Sequence, residues 1–250
     1  MKSRIFIDSG GWYIAYYMGM WEYILEHFGR EAFKGVYFDG ISAGGQVATH
    51  IIASIYSDKP MKTWLETGPK TAVKNDKYGN SCRITEGVYD TGYAFYNNLN
   101  KIQRRAMRKY VRVFCTDTLL NAHYCDKISN ATEYASAITA TSNLPLIFSY
   151  KPIKFRAKYL WDGVLGISCY SLIHPKSLYI SFSPRVQCDN MLDLSNWVYH
   201  THYVSLLPSF LPQQIALMFC DEMFERGYND AKANRKELLE KFQSIGIHLS

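Results

Sequence analysis

Residues 34–56 read Lys34-Gly35-Val36-Tyr37-Phe38-Asp39-Gly40-Ile41-Ser42-Ala43-Gly44-Gly45-Gln46-Val47-Ala48-Thr49-His50-Ile51-Ile52-Ala53-Ser54-Ile55-Tyr56. Lys34 to Phe38 is rich in β-formers and predicts a strand. Asp39 to Gly45 is a glycine-rich tight turn. Gln46 to Tyr56 is largely apolar, with no proline or glycine, and predicts a mostly buried helix. The same order occurs one step earlier. Arg4 to Asp8 is a short β-rich run, Ser9-Gly10-Gly11 breaks it, and residues 12–28 carry large apolar side chains up to Gly29. Two successive β–turn–α units predict parallel strands joined by right-handed crossovers.

The rest of the chain extends this pattern. Strands are expected from Tyr110 to Thr116, Ala137 to Thr141, Lys154 to Trp161 and Ser177 to Phe182, and helices over 101–112, 213–226 and 230–244. Lys59-Pro60, Gly68-Pro69 and Lys77-Tyr78-Gly79-Asn80 are turn signals within 58–100, with a weak helix between the first two. Asn143-Leu144-Pro145 reads as a loop. The expected fold is a three-layer α/β/α domain over residues 1–250, with a mostly parallel central sheet and a helical C-terminal end.

Composition excludes several classes. Of 250 residues, 48% are hydrophobic and 20% charged, whereas a disordered chain needs low hydrophobicity and high charge. This length buries a core without disulfide staples. Cys82, Cys115, Cys125, Cys169, Cys188 and Cys220 form no C-x-x-C pair. They read as scattered buried thiols of a reducing compartment. Met1-Lys2-Ser3-Arg4 imitates the start of a signal peptide, but Asp8 interrupts the apolar run and no small-x-small site follows. No run of about 18 apolar residues predicts a membrane span. The expectation is a cytoplasmic protein, peripheral on membranes or lipid droplets.

Gly40-Ile41-Ser42-Ala43-Gly44 fits G-x-S-x-G. A sharp strand-to-helix turn strains the serine backbone and presents its hydroxyl above the sheet edge. The plain alternative is a βα turn with an N-cap serine. If the first two strands are neighbours, Gly10-Gly11 shares the rim with Ser42. Amides of Gly10, Gly11, Trp12 and Ala43 can then face a tetrahedral oxyanion. The G-x-G-x-x-G spacing is absent, so no dinucleotide site is read. A base for Ser42 is sought among His174, His200, His202, His248 and Asp162. Asp162-Gly163 is the best placed, because it ends an extended segment and its glycine lets the carboxylate turn towards the rim. No metal-ligand cluster accompanies His200-x-His202, and neither metal nor cofactor is expected.

Together these features resemble the patatin-like phospholipase family over roughly residues 4–243: a glycine-rich loop after the first strand, G-x-S-x-G about 30 residues later, and a downstream Asp-Gly. Ala140-Thr141-Ser142-Asn143-Leu144-Pro145-Leu146-Ile147-Phe148 resembles the family's intervening segment, and Trp161-Asp162-Gly163-Val164 its second motif. Gly227-Tyr228-Asn229-Asp230-Ala231 is similar to the C-terminal helix of the animal adiponutrin and triglyceride-lipase branch. The resemblance implies a Ser42–Asp162 dyad, an oxyanion loop at Gly10-Gly11, motif glycines Gly40, Gly44 and Gly163, and a lipid ester as substrate. Phospholipid is the favoured substrate, with neutral glyceride or acyl transfer as the alternative. In the loop, Ser9, Tyr13 and Ile14 replace a glycine, a basic residue and a glycine of the family pattern. That departure motivates a rival reading, a non-catalytic lipid-binding member of the fold. A Ser-His-Asp hydrolase is disfavoured, since Ser42 follows only the second strand.

Residues 91–116 contain no Asp or Glu but six cations: Lys101, Arg104, Arg105, Arg108, Lys109 and Arg112. On one helix they would form a single basic stripe, suited to an anionic membrane surface. A solvated helix face is the plain alternative. No nucleic-acid reader motif accompanies the stripe, so nucleic acid is not an expected partner. Oligomeric state is not legible.

Overall fold

The computed structural model describes residues 3–75, 84–145, 147–186, 188–197 and 212–249. In chain order, β1 (Arg4–Ile7) leads through a 3-10 turn (Gly11–Tyr13) into α1 (Ile14–His27), and β2 (Tyr37–Ile41) into α2 (Ala43–Ile55). Four helices follow: α3 (Met61–Thr67), α4 (Pro69–Lys74), α5 (Ile84–Asn98) and α6 (Lys101–Tyr110). Then come β3 (Val111–Asp117), β4 (Ala122–Cys125), α7 (Ala131–Thr141), β5 (Ile153–Phe155) and β6 (Lys158–Asp162). The chain continues with α8 (Ile167–Tyr170), β7 (Leu178–Ser181), β8 (Met191–Asp193), α9 (Gln213–Ala233) and α10 (Arg235–Ser244).

The strands form one sheet in the order β5-β6-β3-β2-β1-β7-β8, with β4 also paired to β3. β1 and β2 are parallel neighbours in register from Arg4↔Tyr37 to Ile7↔Gly40, as the paired β–turn–α units predict. β3, β2, β1, β7 and β8 run parallel, while β4, β5 and β6 add antiparallel pairings. The sheet is therefore an α/β sheet with a parallel centre and an antiparallel flank.

Both faces of the sheet are covered. Ile5 and Ile7 point into one core with α1 and α2, and Phe6 points the other way towards Phe114 and Tyr179, as the period of two in a strand requires. Almost all of α1 is buried, because α9 packs on its far side. That crossing is close: a Cβ at Gly227 would lie 2.1 Å from the Tyr16 carbonyl oxygen. Gly227→Ala is expected to force the helices apart and destabilise the protein by about 1–3 kcal/mol. A melting temperature equal to wild type would contradict this packing.

Several expectations need correction. Ala137 to Thr141 is the end of α7, not a strand. Asn130 caps that helix by accepting from the Glu133 N–H at 2.8 Å, and the capped turn outweighs a short β-branched run. Lys154 to Trp161 lies in a hairpin, β5 and β6, that turns at Arg156 with φ 53°. The basic helix stops at Tyr110, and Arg112 lies on β3. α5 has no counterpart in the expectations. The turn at 77–80 lies outside the described residues, as does Cys82. Cys115, Cys125, Cys169 and Cys220 are buried free thiols and Cys188 is half-buried.

Candidate active site

β3 changes neighbours along its length. Phe114 pairs with Ile41 of β2 and Tyr124 of β4, and Cys115 pairs with Asp162 of β6 and His123 of β4. A strand residue has only two sides, so β2 and β6 lie on the same side of β3, opposite β4. Where β2 ends, β6 takes its place, and the two predicted site residues meet at that junction.

Ser42 follows β2 with φ 54° and ψ −128°, a strained conformation for a residue with a side chain. Its surroundings hold it there. The Ser42 N–H donates to Thr141 Oγ1 (2.8 Å), whose hydroxyl donates to the Phe114 carbonyl (2.8 Å). The Ser42 carbonyl accepts from the Gly45 and Gln46 amides as α2 begins. The first turn of α2 presses on the end of β1, where a Cβ on Gly44 would lie 2.1 Å from the Ile7 carbonyl oxygen. Gly40 is as tightly placed against the Gly44 backbone.

Asp162 ends β6 and is fully buried. Its N–H donates to the Asn143 carbonyl (3.1 Å), and its carbonyl accepts from Thr116 Oγ1 (2.9 Å). Gly163 permits the approach to β2, since a Cβ there would be 2.8 Å from both Ile41 Cγ1 and the Phe114 oxygen. The carboxylate Oδ1 accepts from the Val164 N–H (3.0 Å), while Oδ2 has no hydrogen-bond partner among the described residues. The Ser42 hydroxyl is close enough to lower the carboxyl's pKa without making a bond of full geometry; such bonds are often long before substrate binds. Burial dominates and pushes the carboxyl up to about 7, against the lowering influence of Val164 N–H, Ser42 and Arg185. Asp8 raises it further.

Gly11, Trp12, Ser42 and Ala43 line a cleft open to solvent. Its other walls include Ile14, Val73, Val88 and Phe148, so it is mainly apolar. Gly10 is not a lining residue. It packs behind the loop, where a Cβ would meet the Tyr17 ring at 2.9 Å.

The family model for patatin-like phospholipases matches residues 5–168. The chain belongs to the patatin-like phospholipase family. No curated protein matches it. Family membership carries lipid acyl hydrolysis as the general class of chemistry, and the matched span contains both Ser42 and Asp162.

This patatin-like chain holds its glycine loop with residues that sequence reasoning missed. Asp8, 1% exposed, accepts from the Ser9 N–H (2.6 Å), Tyr170 OH (3.0 Å), Ser181 Oγ (2.8 Å) and Tyr179 OH. It thereby ties the start of the loop to β7 and α8. Thr141 and Asn143 lie in the segment that resembles the family's, but nothing in their spacing announces that one clamps Ser42 and the other Asp162.

Two of the four histidines considered as bases stand elsewhere. His174 and His248 do not line the cleft, and His200 and His202 lie outside the described residues. Among the described residues, no group of three His, Cys, Asp or Glu side chains is disposed to hold a metal ion. Nor is any helix among them long and apolar enough to cross a membrane.

The basic stripe divides into two sets. Lys101, Arg105, Arg108 and Lys109 are exposed on α6. Arg104 donates to the Asn97 carbonyl (2.7 Å) and stacks on Tyr96. Arg112 makes a two-pronged pair with the fully buried Asp39 (2.8 and 2.6 Å), which also binds Arg4. That pairing meets the Arg112 charge within the protein, whereas the α6 cations are exposed. Arg105, Arg108 and Lys109 border a groove with Arg4, Tyr37 and Val111, the first residues of β1, β2 and β3. Ser42 follows the last residue of β2, so this groove and the cleft lie at opposite ends of the parallel strands.

Proposed function

We propose that the protein is a phospholipase A-type serine hydrolase using Ser42 as nucleophile and Asp162 as base. The observation that carries this reading is a strained serine that opens on an apolar cleft, beside a buried carboxyl whose pKa burial raises to about 7. A base poised near neutrality works best at neutral pH. Asp162 removes the Ser42 proton as Oγ bonds to the ester carbonyl carbon. Amides of Gly11, Trp12 and Ala43, which line the cleft, face the tetrahedral oxyanion. The intermediate collapses, Asp162 returns the proton to the departing alkoxide, and an acyl-enzyme remains. Water then gives a proton to Asp162 and attacks the acyl carbon; the Oγ–acyl bond breaks, Asp162 returns the proton to Ser42 Oγ, and the fatty acid leaves.

The test of substrate class is a comparison of phosphatidylcholine and triacylglycerol, each with one labelled acyl chain. Faster release of fatty acid from phosphatidylcholine is expected. Faster release from triacylglycerol, or label appearing in a new ester, would favour the neutral-glyceride or transacylase alternative.

The exposed cations on α6 are proposed to recruit the protein to anionic bilayers. Each charge near such a surface contributes ~1 kcal/mol, and salt screens it. Arg105→Glu/Arg108→Glu should weaken sedimentation with phosphatidylserine vesicles at least tenfold at low salt. Turnover of a soluble ester should stay unchanged, because this end is remote from Ser42. Equal vesicle binding by variant and wild type would reduce the stripe to a solvated face.

A further inference from the structure

A second, smaller cavity lies behind the cleft. The two share Gln46, Pro69, Ala72 and Val88 as walls, and the second continues to His50, Thr91 and Phe95. Gln46 and His50 are spaced by four on α2, so they share one helix face, and Ser42 immediately precedes that helix. At 1.5 Å per residue, His50 lies about 12 Å beyond Ser42. An extended chain advances about 1.2 Å per bond, so an acyl chain running along α2 from Ser42 reaches His50 after about ten bonds.

The far end is polar although the path is apolar. Thr91 is 6% exposed, and its Oγ1 has no hydrogen-bond partner among the described residues. His50 is 4% exposed, with Nδ1 2.7 Å from the Gln46 carbonyl oxygen. A carbonyl only accepts, so Nδ1 carries the proton and Nε2 is left as an acceptor. Burial supports the neutral ring by pushing its pKa down to about 4. The space beside these groups has about 20 Å³ for a water-sized body, room for about one water.

We propose that this second cavity is the polar terminus of the acyl channel. It binds acyl chains carrying a hydroxyl about nine or ten carbons from the ester carbonyl in preference to plain chains of that length. The inference rests on the assignment of Ser42 as the acylated residue. A plain chain of ten carbons brings no polar group to Thr91 Oγ1 and His50 Nε2 and shuts solvent away from them, which is costly for buried polar groups. A terminal hydroxyl meets both groups, donating to His50 Nε2 and accepting from Thr91 Oγ1.

The experiment is calorimetric titration of wild type, Thr91→Val and Thr91→Ser with decanoate and 10-hydroxydecanoate. Wild type should bind the hydroxy acid about tenfold more tightly, the scale of one or two well-made hydrogen bonds. The preference should vanish in Thr91→Val, which keeps the side-chain shape, and return in Thr91→Ser. Equal binding of the two acids by wild type overturns the proposal, as does a preference that survives Thr91→Val. Binding needs no turnover. Hydrolysis of p-nitrophenyl butanoate, whose chain ends within the first cleft, tests Ser42 separately.

Discussion

Ser42→Ala is expected to remove ester hydrolysis almost completely and leave the fold intact. The loss should be roughly a million-fold in kcat, the scale seen when a serine nucleophile is deleted and only binding and oxyanion donors remain. The fold should survive because the elbow is held by backbone groups and neighbours. Thr141 Oγ1 grips the Ser42 amide, and Gly40 and Gly44 allow the close turn. Alanine meets the same strain at φ 54° that serine does. Turnover of p-nitrophenyl butanoate and the melting temperature check the two halves. Activity close to wild type in a folded variant would remove Ser42 from the chemistry.

Asp162→Asn should lower kcat by roughly 10^3- to 10^4-fold, the upper range of general-base contributions. Replacing His174 or His248 should have little effect. The wild-type rate should rise with pH and level off above about pH 7, where the carboxyl is ionised. Stability should move the other way. The folded carboxyl has its pKa raised from 3.8 to about 7, so between those values the folded protein holds a proton that the unfolded chain has lost. Its contribution is fully present below about pH 4 and is lost as pH rises through about 7. At pH 8 Asp162→Asn is therefore expected to be more stable than wild type, by up to a few kcal/mol. A variant both less active and more stable identifies a buried charge kept for chemistry. A pH–rate profile flat from pH 5 to 9 would contradict the role.

The parts of the fold that local sequence governs were legible. Two β–turn–α units placed β1 beside β2, and G-x-S-x-G placed Ser42 at the turn between β2 and α2. Asp162-Gly163 was recognisable as a strand-end pair. What could not be read depends on tertiary pairing. The takeover of β2's place by β6 is a property of β3's two sides, and no periodicity encodes it. Ala137 to Thr141 carries β-branched residues, yet it continues a helix whose cap lies seven residues before Ala137. Arg112 looked like part of a helical stripe because 101–112 keeps helical spacing; its buried partner Asp39 is remote in sequence. Asp8 and Thr141 act through hydrogen bonds to distant elements, and only the assembled sheet brings those elements together.

The most direct test of the central claim is covalent labelling with a lipid-like fluorophosphonate, read by mass spectrometry of the digested protein. A phosphonyl adduct is expected on the peptide bearing Ser42, at one adduct per chain, and it should be absent from Ser42→Ala. Labelling should also slow in Asp162→Asn, since the same base must activate Oγ. An adduct on another serine, or none on a folded protein, would contradict the assignment of Ser42 as nucleophile.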